Sequence, residues 1–466
     1  MNMPVGGESW LDDDGITEIA NDIFFLGALQ TTIIRGATLE IFLTNLRAAL
    51  LRRASADITG SRQIDDNVVR LFSSVAQQCF LNEYLYAQSD VEARQAGRLQ
   101  ELLLERSSAG DEVSPLLLAA VAAYFPLHSL PAAASLLTIE WPKFAADLLQ
   151  QQVCEPLAEA EDRRAVRALT SIDNDVSLRV LQQYEENPYP RWSIHPLAFL
   201  RGDPTEEGEA ASLNERRPSQ DILIAGCGTG EHSFDIAQKY PRARILAIDL
   251  SRTALAYAQR KSREHGLRNI EYAQADILKL GTIGRIFDRV ETVGVLHHLA
   301  DPAAGWRILL SLLAPNGIMR VGLYSEGARR AIVEARAVIA ERGYRATADD
   351  IRAFRQTIIR ARDEPRWDTI ITTVDFYSLS GCRDMLFNVM EHRFTVPQIA
   401  AFLDEQRLSF LGFELDPKVV GQFQQQYPGD AALTNLDHWT DFEAANPQTF
   451  RNMYQFSVRK NEPSPR

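Results

Sequence analysis

The segment DILIAGCGTGEHSFDIA, Asp221 to Ala237, most restricts the fold because it joins an apolar strand pattern to a helix through three glycines. Gly226, Gly228 and Gly230 allow a sharp backbone turn and let a ligand approach without meeting a Cβ atom. A tight turn between a strand and a helix, without any ligand, is the alternative, since a glycine-rich turn alone is weak evidence. The segment therefore predicts a strand–turn–helix unit that is suited to holding a ligand.

Further apolar runs follow this turn and alternate with amphipathic helices. The predicted strands are DILIAG, ARILAID, NIEYAQAD, FDRVETVGV and GIMRVGLY. Alternation of strands and helices predicts a parallel sheet that is covered on both faces. Residues 325–403 are predicted to be mostly helical, and two more strands, LSFLGFEL and MYQFSVRK, come after them. The sequence thus predicts an α/β domain with a helical insertion before its last two strands.

Acidic residues end the second and third predicted strands. Asp249 closes ARILAID, nineteen residues after Gly230, where a carboxylate can hold both hydroxyls of a nucleoside ribose. Asp276 ends the third strand, in a good position for an adenine amino group. Either acid could instead cap the following helix. Two acids in register with the glycines nevertheless favour a nucleoside site.

These residues, together with the fourth-strand segment VGVLHHLADP, resemble class I S-adenosylmethionine-dependent methyltransferases from Asp221 to about Tyr324. The turn departs from the G-x-G-x-x-G spacing of nicotinamide enzymes, and it lacks the Lys-Ser/Thr pair of a nucleotide triphosphatase. The resemblance implies a Rossmann-like sheet with a reversed last strand, and S-adenosyl-L-methionine as the cofactor. The cofactor-binding residues that it implies are Gly226, Cys227, Gly228, Thr229, Gly230, Asp249, Leu250, Asp276, Ile277 and Val295, the last of these beneath the sulfonium.

Four flanking segments narrow the resemblance to one bacterial group of methyltransferases, from about residue 40 to the end. These segments are QCFLNEY, QYEENPYPRW, GLYSE and CRDMLFNVMEHRFT. The group includes protein-lysine methyltransferases that modify outer-membrane proteins, and some members carry tetratricopeptide repeats. The resemblance implies a helical N-terminal domain at 1–175 and a methyltransferase domain at 176–466, with a helical substrate insertion at about 325–403. It also implies a lysine acceptor on a protein substrate.

The N-terminal region shows helical apolar periodicity from about Thr17 to Asp173. Within it, CFLNEYLYAQ places Asn82 and Glu83 among apolar residues. We favour a hydrogen-bonded pair that pins helices together, because buried polar groups need partners; a contribution to the substrate wall is the alternative. The apolar faces of this domain also make it a candidate surface for a homodimer.

Two prolines stiffen the segment ENPYPRW, just upstream of the first strand of the α/β domain. Class I enzymes often fold a lid over the cofactor at this point, so the resemblance assigns that role to Tyr189, Arg191 and Trp192, and also to Tyr184. Packing of a linker is the alternative interpretation.

Polar groups near the mouth of the predicted site are candidates for acceptor chemistry. A lysine amine, with a pKa of about 10.4, must lose a proton before it attacks a methyl donor. His297 and His298 follow the fourth strand; we expect one of them to pack or cap the next helix and the other to face the acceptor. A solvated helix face is the alternative for the polar residues of the insertion. The candidates for the base are His298, Asp384, Glu391 and His392, and those for the substrate wall are Tyr324 and Asp375.

Composition and charge exclude several classes of function. A net charge of −13 and a pI of about 5.2 disfavour nucleic acid as a partner. Four cysteines without paired spacing disfavour a disulfide framework or a zinc site, and no apolar run is long enough to span a bilayer. We therefore expect a cytoplasmic protein without a metal site. The alternatives to a protein-lysine methyltransferase are a small-molecule methyltransferase of the same fold and a non-catalytic, cofactor-binding scaffold.

Overall fold

Helices make up most of the described chain, which in this computed structural model comprises residues 13–57, 65–131, 133–193, 220–451 and 453–461. Local signals set many of their ends. The fifth helix, for example, begins at a capping box of Ser89 and Glu92 and ends at Gly110, which adopts a left-handed conformation. The α-helices are α1 Asp13–Ala20, α2 Ile23–Thr31, α3 Ala37–Ala56, α4 Asp66–Leu81, α5 Asp90–Ala109, α6 Pro115–Ala122, α7 Lys143–Leu149, α8 Glu155–Ala165, α9 Asp175–Glu186, α10 Glu231–Lys239, α11 Arg252–Glu264, α12 Pro302–Ser311, α13 Arg330–Arg342, α14 Ala348–Arg360, α15 Asp368–Thr372, α16 Leu379–Phe387, α17 Val396–Glu405, α18 Pro417–Gln426 and α19 Leu436–Ala445.

Two compact units divide the chain. The first, here called the helical unit, contains the described parts of Met1–Ala160, Arg191–Ile194 and Arg342–Met385. The second, the sheet unit, contains the described parts of Glu161–Pro190, His195–Glu341 and Leu386–Arg466. The division at 175/176 stays a prediction. Much of the predicted insertion, residues 342–385, belongs to the helical unit rather than to the sheet unit.

The helical unit is built around α4 and α6, which are buried on nearly all sides. Residues 342–385 join this core through an ion pair between two helices that are distant in sequence. Arg355 on α14 donates Nη1 and Nη2 to the two carboxylate oxygens of Glu40 on α3, at 2.9 and 2.7 Å. Its Nε donates to the carbonyl of Phe376 at 2.7 Å. Both charged side chains are buried, so each depends on the other for its stability.

One eight-stranded sheet forms the core of the sheet unit within the described residues. Its order is β1-β4-β3-β2-β5-β6-β8-β7; β1 to β6 run parallel, and β8 is antiparallel to both of its neighbours. The strands are β1 Arg167–Ala168, β2 Asp221–Ala225, β3 Arg244–Asp249, β4 Ile270–Gln274, β5 Phe287–Val293, β6 Leu313–Leu323, β7 Leu408–Phe413 and β8 Tyr454–Lys460.

The sheet confirms the predicted fold class. All seven strands expected from the apolar runs are present, and the last one is reversed, as the resemblance to class I methyltransferases implied. The central strands are apolar along most of their length because helices cover both faces; in β2, for example, every residue after Asp221 is buried. The carboxyl ends of β2 to β6 meet along one edge of the sheet, where parallel α/β sheets bind their ligands.

None of the described helices combines the length and the apolar character that crossing a membrane requires.

Candidate active site

The glycine turn after β2 fits closely against neighbouring chain segments. Gly226 and Gly228 have φ angles of 78° and 51°, in the left-handed region that favours glycine. A Cβ atom on Gly226 would lie 2.3 Å from Cγ2 of Val295, and one on Gly228 would lie 2.5 Å from the carbonyl oxygen of Tyr189. Val295, on the turn after β5, therefore lies directly against the glycine turn. Its place beside the cofactor stays a prediction.

Asp249 organises the same turn from the end of β3. Its Oδ2 accepts a hydrogen bond from the backbone N–H of Gly228 at 2.9 Å, and its Oδ1 accepts one from Ser251 at 2.9 Å. Burial raises the pKa of this carboxyl above its usual range. Each oxygen keeps a second lone pair, so both remain able to accept the ribose hydroxyls of a nucleoside.

Asp276 is fully buried at the end of β4. Its Oδ1 caps a short 3₁₀ helix, Ile277–Thr282, by accepting from the N–H of Leu278 at 2.9 Å. Its Oδ2 is also buried and has no hydrogen-bond partner among the described residues. The sequence analysis treated helix capping and ligand binding as alternatives for Asp276. In the structure Oδ1 caps the helix, and Oδ2 can still accept a hydrogen bond from a donor on a ligand. An adenine amino group is such a donor, so the residues present fit S-adenosyl-L-methionine.

Residues 183–190, here called the strap, connect the glycine turn to other parts of the sheet unit. Thr229 donates its N–H to the carbonyl of Tyr189 at 3.4 Å and its hydroxyl to the carbonyl of Pro190. The carbonyl of Tyr184 accepts from the Ser251 hydroxyl at 3.1 Å. The two tyrosines assigned to a lid therefore belong to a segment that is bonded to both the β2 and the β3 turns.

Arg191 and Trp192, the other two residues assigned to the lid, belong to the helical unit. The Arg191 guanidinium lies 4.5 Å from the ring centroid of Phe80, and its Nη1 lies 4.0 Å from Oε1 of Glu83. Trp192 is buried. These contacts agree with the alternative of linker packing, and the lid role of Arg191 and Trp192 stays a prediction.

Asn82 and Glu83 do not bond to each other but to the start of α16. The Asn82 carbonyl accepts from Leu379 at 3.3 Å, and the Glu83 carboxylate accepts from the N–H of Ser380 at 2.6 Å. Burial raises the pKa of Glu83. The Glu83 contact agrees with the interpretation that these residues pin helices, whereas the Asn82 side chain accepts from the N–H of Leu85 in its own segment at 3.1 Å.

His298 lies on the 3₁₀ turn Leu296–His298 that follows β5. Its Nδ1 lies 2.6 Å from the carbonyl oxygen of Met390. Because a carbonyl only accepts, Nδ1 carries the hydrogen in this contact, and Nε2 of the neutral ring is left with a lone pair. This contact fixes the tautomer of the neutral ring, and the role of His298 as a base stays a prediction.

His297 is fully buried next to its neighbour. Its ring stacks on Tyr324, with 3.8 Å between centroids and 25° between planes, and lies 4.4 Å from the ring of His298. Burial lowers its pKa well below the usual range, so the ring is neutral. Neither ring nitrogen has a hydrogen-bond partner among the described residues. Its carbonyl accepts from the N–H of His392 at 2.8 Å, which fixes residues 390–392 beside this turn.

Glu391, one of the acidic groups expected to form an acceptor lip, is enclosed by arginines. Glu391 is 2% exposed, and it pairs with Arg329 and, at 3.3 Å, with Arg336, while Arg393 lies 3.7 Å away. Arginine side chains therefore balance its charge, and its roles as a base and as part of an anionic lip stay predictions. Asp375 and Asp384 belong to the helical unit, whereas Glu391 and His392 belong to the sheet unit.

Two groups at this site escaped the sequence analysis. Arg329 was not considered, although it places its guanidinium carbon 3.9 Å from the ring centroid of Tyr324 and pairs with Glu391. The backbone carbonyl of Met390, which orients His298, has no signature in the sequence at all. In the sequence, only the density of polar residues in the segment NVMEHR indicated that this stretch has a function besides core packing.

Within the ranges that the structure describes, no group of three or more His, Cys, Asp and Glu side chains has the arrangement of a metal site.

Comparison with known proteins identifies a methyltransferase domain in the chain. Residues 218–353 match the model of a methyltransferase domain. An uncharacterized protein from a Synechococcus species is 32% identical over 221 residues, which are 44% of this chain and 50% of that protein. The trans-aconitate 2-methyltransferase of Deinococcus radiodurans is 31% identical over 127 residues, which are 27% of this chain and 46% of that enzyme. The chain thus spans about half the length of the curated relatives that it matches first.

Among solved structures, PKMT2 from Rickettsia typhi matches with a TM-score of 0.40 and 17% identity, over 56% of this chain and 53% of that one. The methyltransferase-domain match and the strand order confirm the resemblance to class I methyltransferases, with S-adenosyl-L-methionine as the cofactor. The roles of the individual site residues stay predictions.

Proposed function

We propose that this chain is an S-adenosylmethionine-dependent methyltransferase that acts on lysine side chains of a protein substrate. The cofactor, when bound, supplies a methyl group that is open to in-line attack by a nucleophile. The enzyme must then align the acceptor, exclude water and provide a neutral nitrogen. Asp249 and Asp276 hold the nucleoside, and Val295 and the glycine turn shape the floor of the cleft.

The observation that carries this proposal is the hydrogen bond between Nδ1 of His298 and the Met390 carbonyl. It leaves Nε2 as a proton acceptor on the turn that begins at Val295. An amine with a pKa of about 10.4 is almost fully protonated at neutral pH, so it needs a group that takes its proton. The resemblance of QCFLNEY, QYEENPYPRW and CRDMLFNVMEHRFT to a group with protein-lysine methyltransferases supports lysine as the acceptor.

Two substitutions at His298 test this role. His298→Asn keeps a donor for the Met390 carbonyl but removes the proton acceptor, whereas His298→Ala removes both. We expect both variants to lose about a hundredfold or more in kcat, with unchanged affinity for S-adenosylhomocysteine. We expect the melting temperature of the Asn variant to stay close to that of the wild type. A kcat of wild-type size in His298→Asn, measured by S-adenosylhomocysteine release, would remove His298 as the base.

A small acid is the second candidate acceptor. Arg393 is exposed and lies 3.7 Å from Glu391, beyond hydrogen-bond range, so its guanidinium can bind an anionic substrate. The Deinococcus relative is named for a small tricarboxylic acid, in line with this alternative. Separation of the reaction products by size distinguishes the two candidates, because the methyl label enters the protein fraction only if a protein is the acceptor.

The homodimer through the N-terminal helices and the cytoplasmic location stay predictions. Light scattering of the full chain decides the first, and a monomer mass would contradict it.

A further inference from the structure

We propose that Gln183 and Asn388 position the candidate base, because their side chains fix the Met390 carbonyl that sets the tautomer of His298. Both are positioning residues, since they act on the ring through the backbone of residues 388–392, here called the bridge segment. The proposal rests on the proposed function for the role of His298 as a base, while the tautomer itself is measured separately below.

The bridge segment follows α16 and belongs to no helix or strand, so its backbone relies on side chains for hydrogen bonds. The N–H of Val389 donates to Oε1 of Gln183 at 3.3 Å. The next N–H along the chain, that of Met390, donates to Oδ1 of Asn388 at 3.1 Å. Two consecutive peptide groups are thereby fixed immediately before the Met390 carbonyl.

The two amide side chains are buried, at 2% exposure for Gln183 and 3% for Asn388. Asn388 is held by the strap, because its Nδ2 donates to the hydroxyl of Tyr184 at 3.3 Å. Nε2 of Gln183 is buried and has no hydrogen-bond partner among the described residues. Burial of an unpaired amide group is unfavourable, and an apolar side chain would avoid it. The contribution of Gln183 therefore comes from its oxygen, which holds the bridge segment.

The other end of the bridge segment is fixed to the turn that carries the candidate base. The N–H of His392 donates to the carbonyl of His297 at 2.8 Å, and the Met390 carbonyl lies 2.6 Å from Nδ1 of His298. A neutral imidazole takes the tautomer that its hydrogen-bond partner selects. If the Met390 carbonyl moved away, the ring could carry its hydrogen on Nε2 instead, and the lone pair expected to accept the proton of the amine would be lost.

Nuclear magnetic resonance of the full chain with isotope-labelled histidine measures the tautomer of His298. The spectra are recorded at mildly alkaline pH, where an ordinary imidazole is neutral, and signals that vanish in His298→Asn identify its ring among the eight histidines. We expect the hydrogen on Nδ1 in the wild type. We expect Gln183→Met and Asn388→Leu to shift it toward Nε2, because both variants fill the buried position but remove the acceptor oxygen. A loss of packing alone would lower the melting temperature without selecting a tautomer.

The same variants should separate turnover from cofactor binding. We expect kcat to fall about tenfold or more in Gln183→Met and Asn388→Leu, because a misplaced catalytic group loses much of its effect. We expect the affinity for S-adenosylhomocysteine to stay within about twofold of the wild type, because neither oxygen bonds to the glycine turn or to Asp249.

Gln183→Glu and Gln182→Met are the controls. Gln183→Glu keeps an oxygen for the N–H of Val389 and loses only the unpartnered Nε2, so we expect the wild-type tautomer and a kcat within about threefold of the wild type. Gln182→Met makes the same substitution one residue away on α9, at an exposed position where Nε2 donates to Glu186. We expect it to leave the tautomer and kcat unchanged.

Two results would overturn the proposal. The first is a wild-type tautomer in folded Gln183→Met and Asn388→Leu. The second is a shifted tautomer in Gln183→Glu, which counts against the proposal even if the two apolar variants do not fold.

Measurement of both the tautomer and methylation separates this proposal from the proposed function. If Gln183→Met shifts the tautomer but no lysine peptide is ever methylated, the positioning role stands and lysine methylation fails. If lysine peptides are methylated and His298→Asn abolishes the reaction, while the tautomer is the same in every Gln183 and Asn388 variant, the proposed function stands and the positioning role fails.

Discussion

Substitution of Gly228 by alanine tests whether the strap and Asp249 are fixed by the glycine turn. Alanine at a φ of 51° costs about 1–2 kcal/mol, because its Cβ crowds the following carbonyl. The new Cβ would also lie 2.5 Å from the carbonyl oxygen of Tyr189, closer than the two atoms can approach, so the backbone of the strap has to move. The N–H of Gly228 moves with it, away from its 2.9 Å bond to Asp249.

Loss of this bond has a calculable effect on the cofactor. Asp249 is then no longer fixed for the ribose hydroxyls. Loss of one hydrogen bond from that carboxylate to the ribose, about 1.5–3 kcal/mol, should make S-adenosylhomocysteine bind about ten to a hundred times more weakly to Gly228→Ala. The melting temperature of this variant should fall as well, because alanine in the left-handed backbone conformation is strained whether or not the cofactor is bound. Isothermal titration calorimetry and a thermal melt of the full chain measure the two quantities.

Gly281→Ala is the control for this experiment. Gly281 lies in the 3₁₀ helix after Asp276, and a Cβ there would meet nothing within 4 Å. We expect Gly281→Ala to bind S-adenosylhomocysteine with the affinity of the wild type. If Gly228→Ala also binds with wild-type affinity and melts at the wild-type temperature, the close fit between the turn and the strap is wrong.

Three further predictions concern titratable groups. Asp249→Ala should weaken S-adenosylhomocysteine binding by at least about tenfold, because the ribose hydroxyls lose their acceptor; unchanged calorimetric affinity would exclude Asp249 from the site. Glu391→Gln should lower the stability of the sheet unit by about 3–5 kcal/mol, because the buried Arg329 loses its counter-ion, and an unchanged melting temperature would contradict this. His297 has a lowered pKa in the folded state, so below about pH 6.5 the unfolded chain takes up a proton that the folded chain does not, and stability decreases as the pH falls. His297→Phe keeps the stack on Tyr324 and should therefore lose less melting temperature than the wild type between neutral and mildly acidic pH; equal losses would refute the assignment.

The sheet unit could be predicted from sequence because its signals are local. An apolar strand is visible in five to eleven neighbouring residues, and the glycines with Asp249 and Asp276 fall at strand ends that parallel topology brings to one edge. The contacts around the predicted site of the methyl acceptor could not be predicted in the same way. Arg329 and Glu391 are 62 residues apart, and His298 is oriented by a carbonyl 92 residues away that any residue type would supply.

The helical unit illustrates a second limit. Apolar periodicity predicts where helices occur but not which core they join. Residues 342–385 join the N-terminal helices through the pair of Arg355 and Glu40, whose members are 315 residues apart. The acids Asp375 and Asp384 lie in that segment. A cluster that appeared continuous in the sequence was thereby divided between two units.

The identity of the methylated atom tests the central claim most directly. The full chain is incubated with methyl-labelled S-adenosyl-L-methionine and a bacterial protein extract, and the labelled proteins are hydrolysed to amino acids. We predict that the label appears as methylated lysine and that His298→Asn abolishes it. Label that is found only in small molecules, or only as base-labile esters of carboxyl groups, would contradict the account.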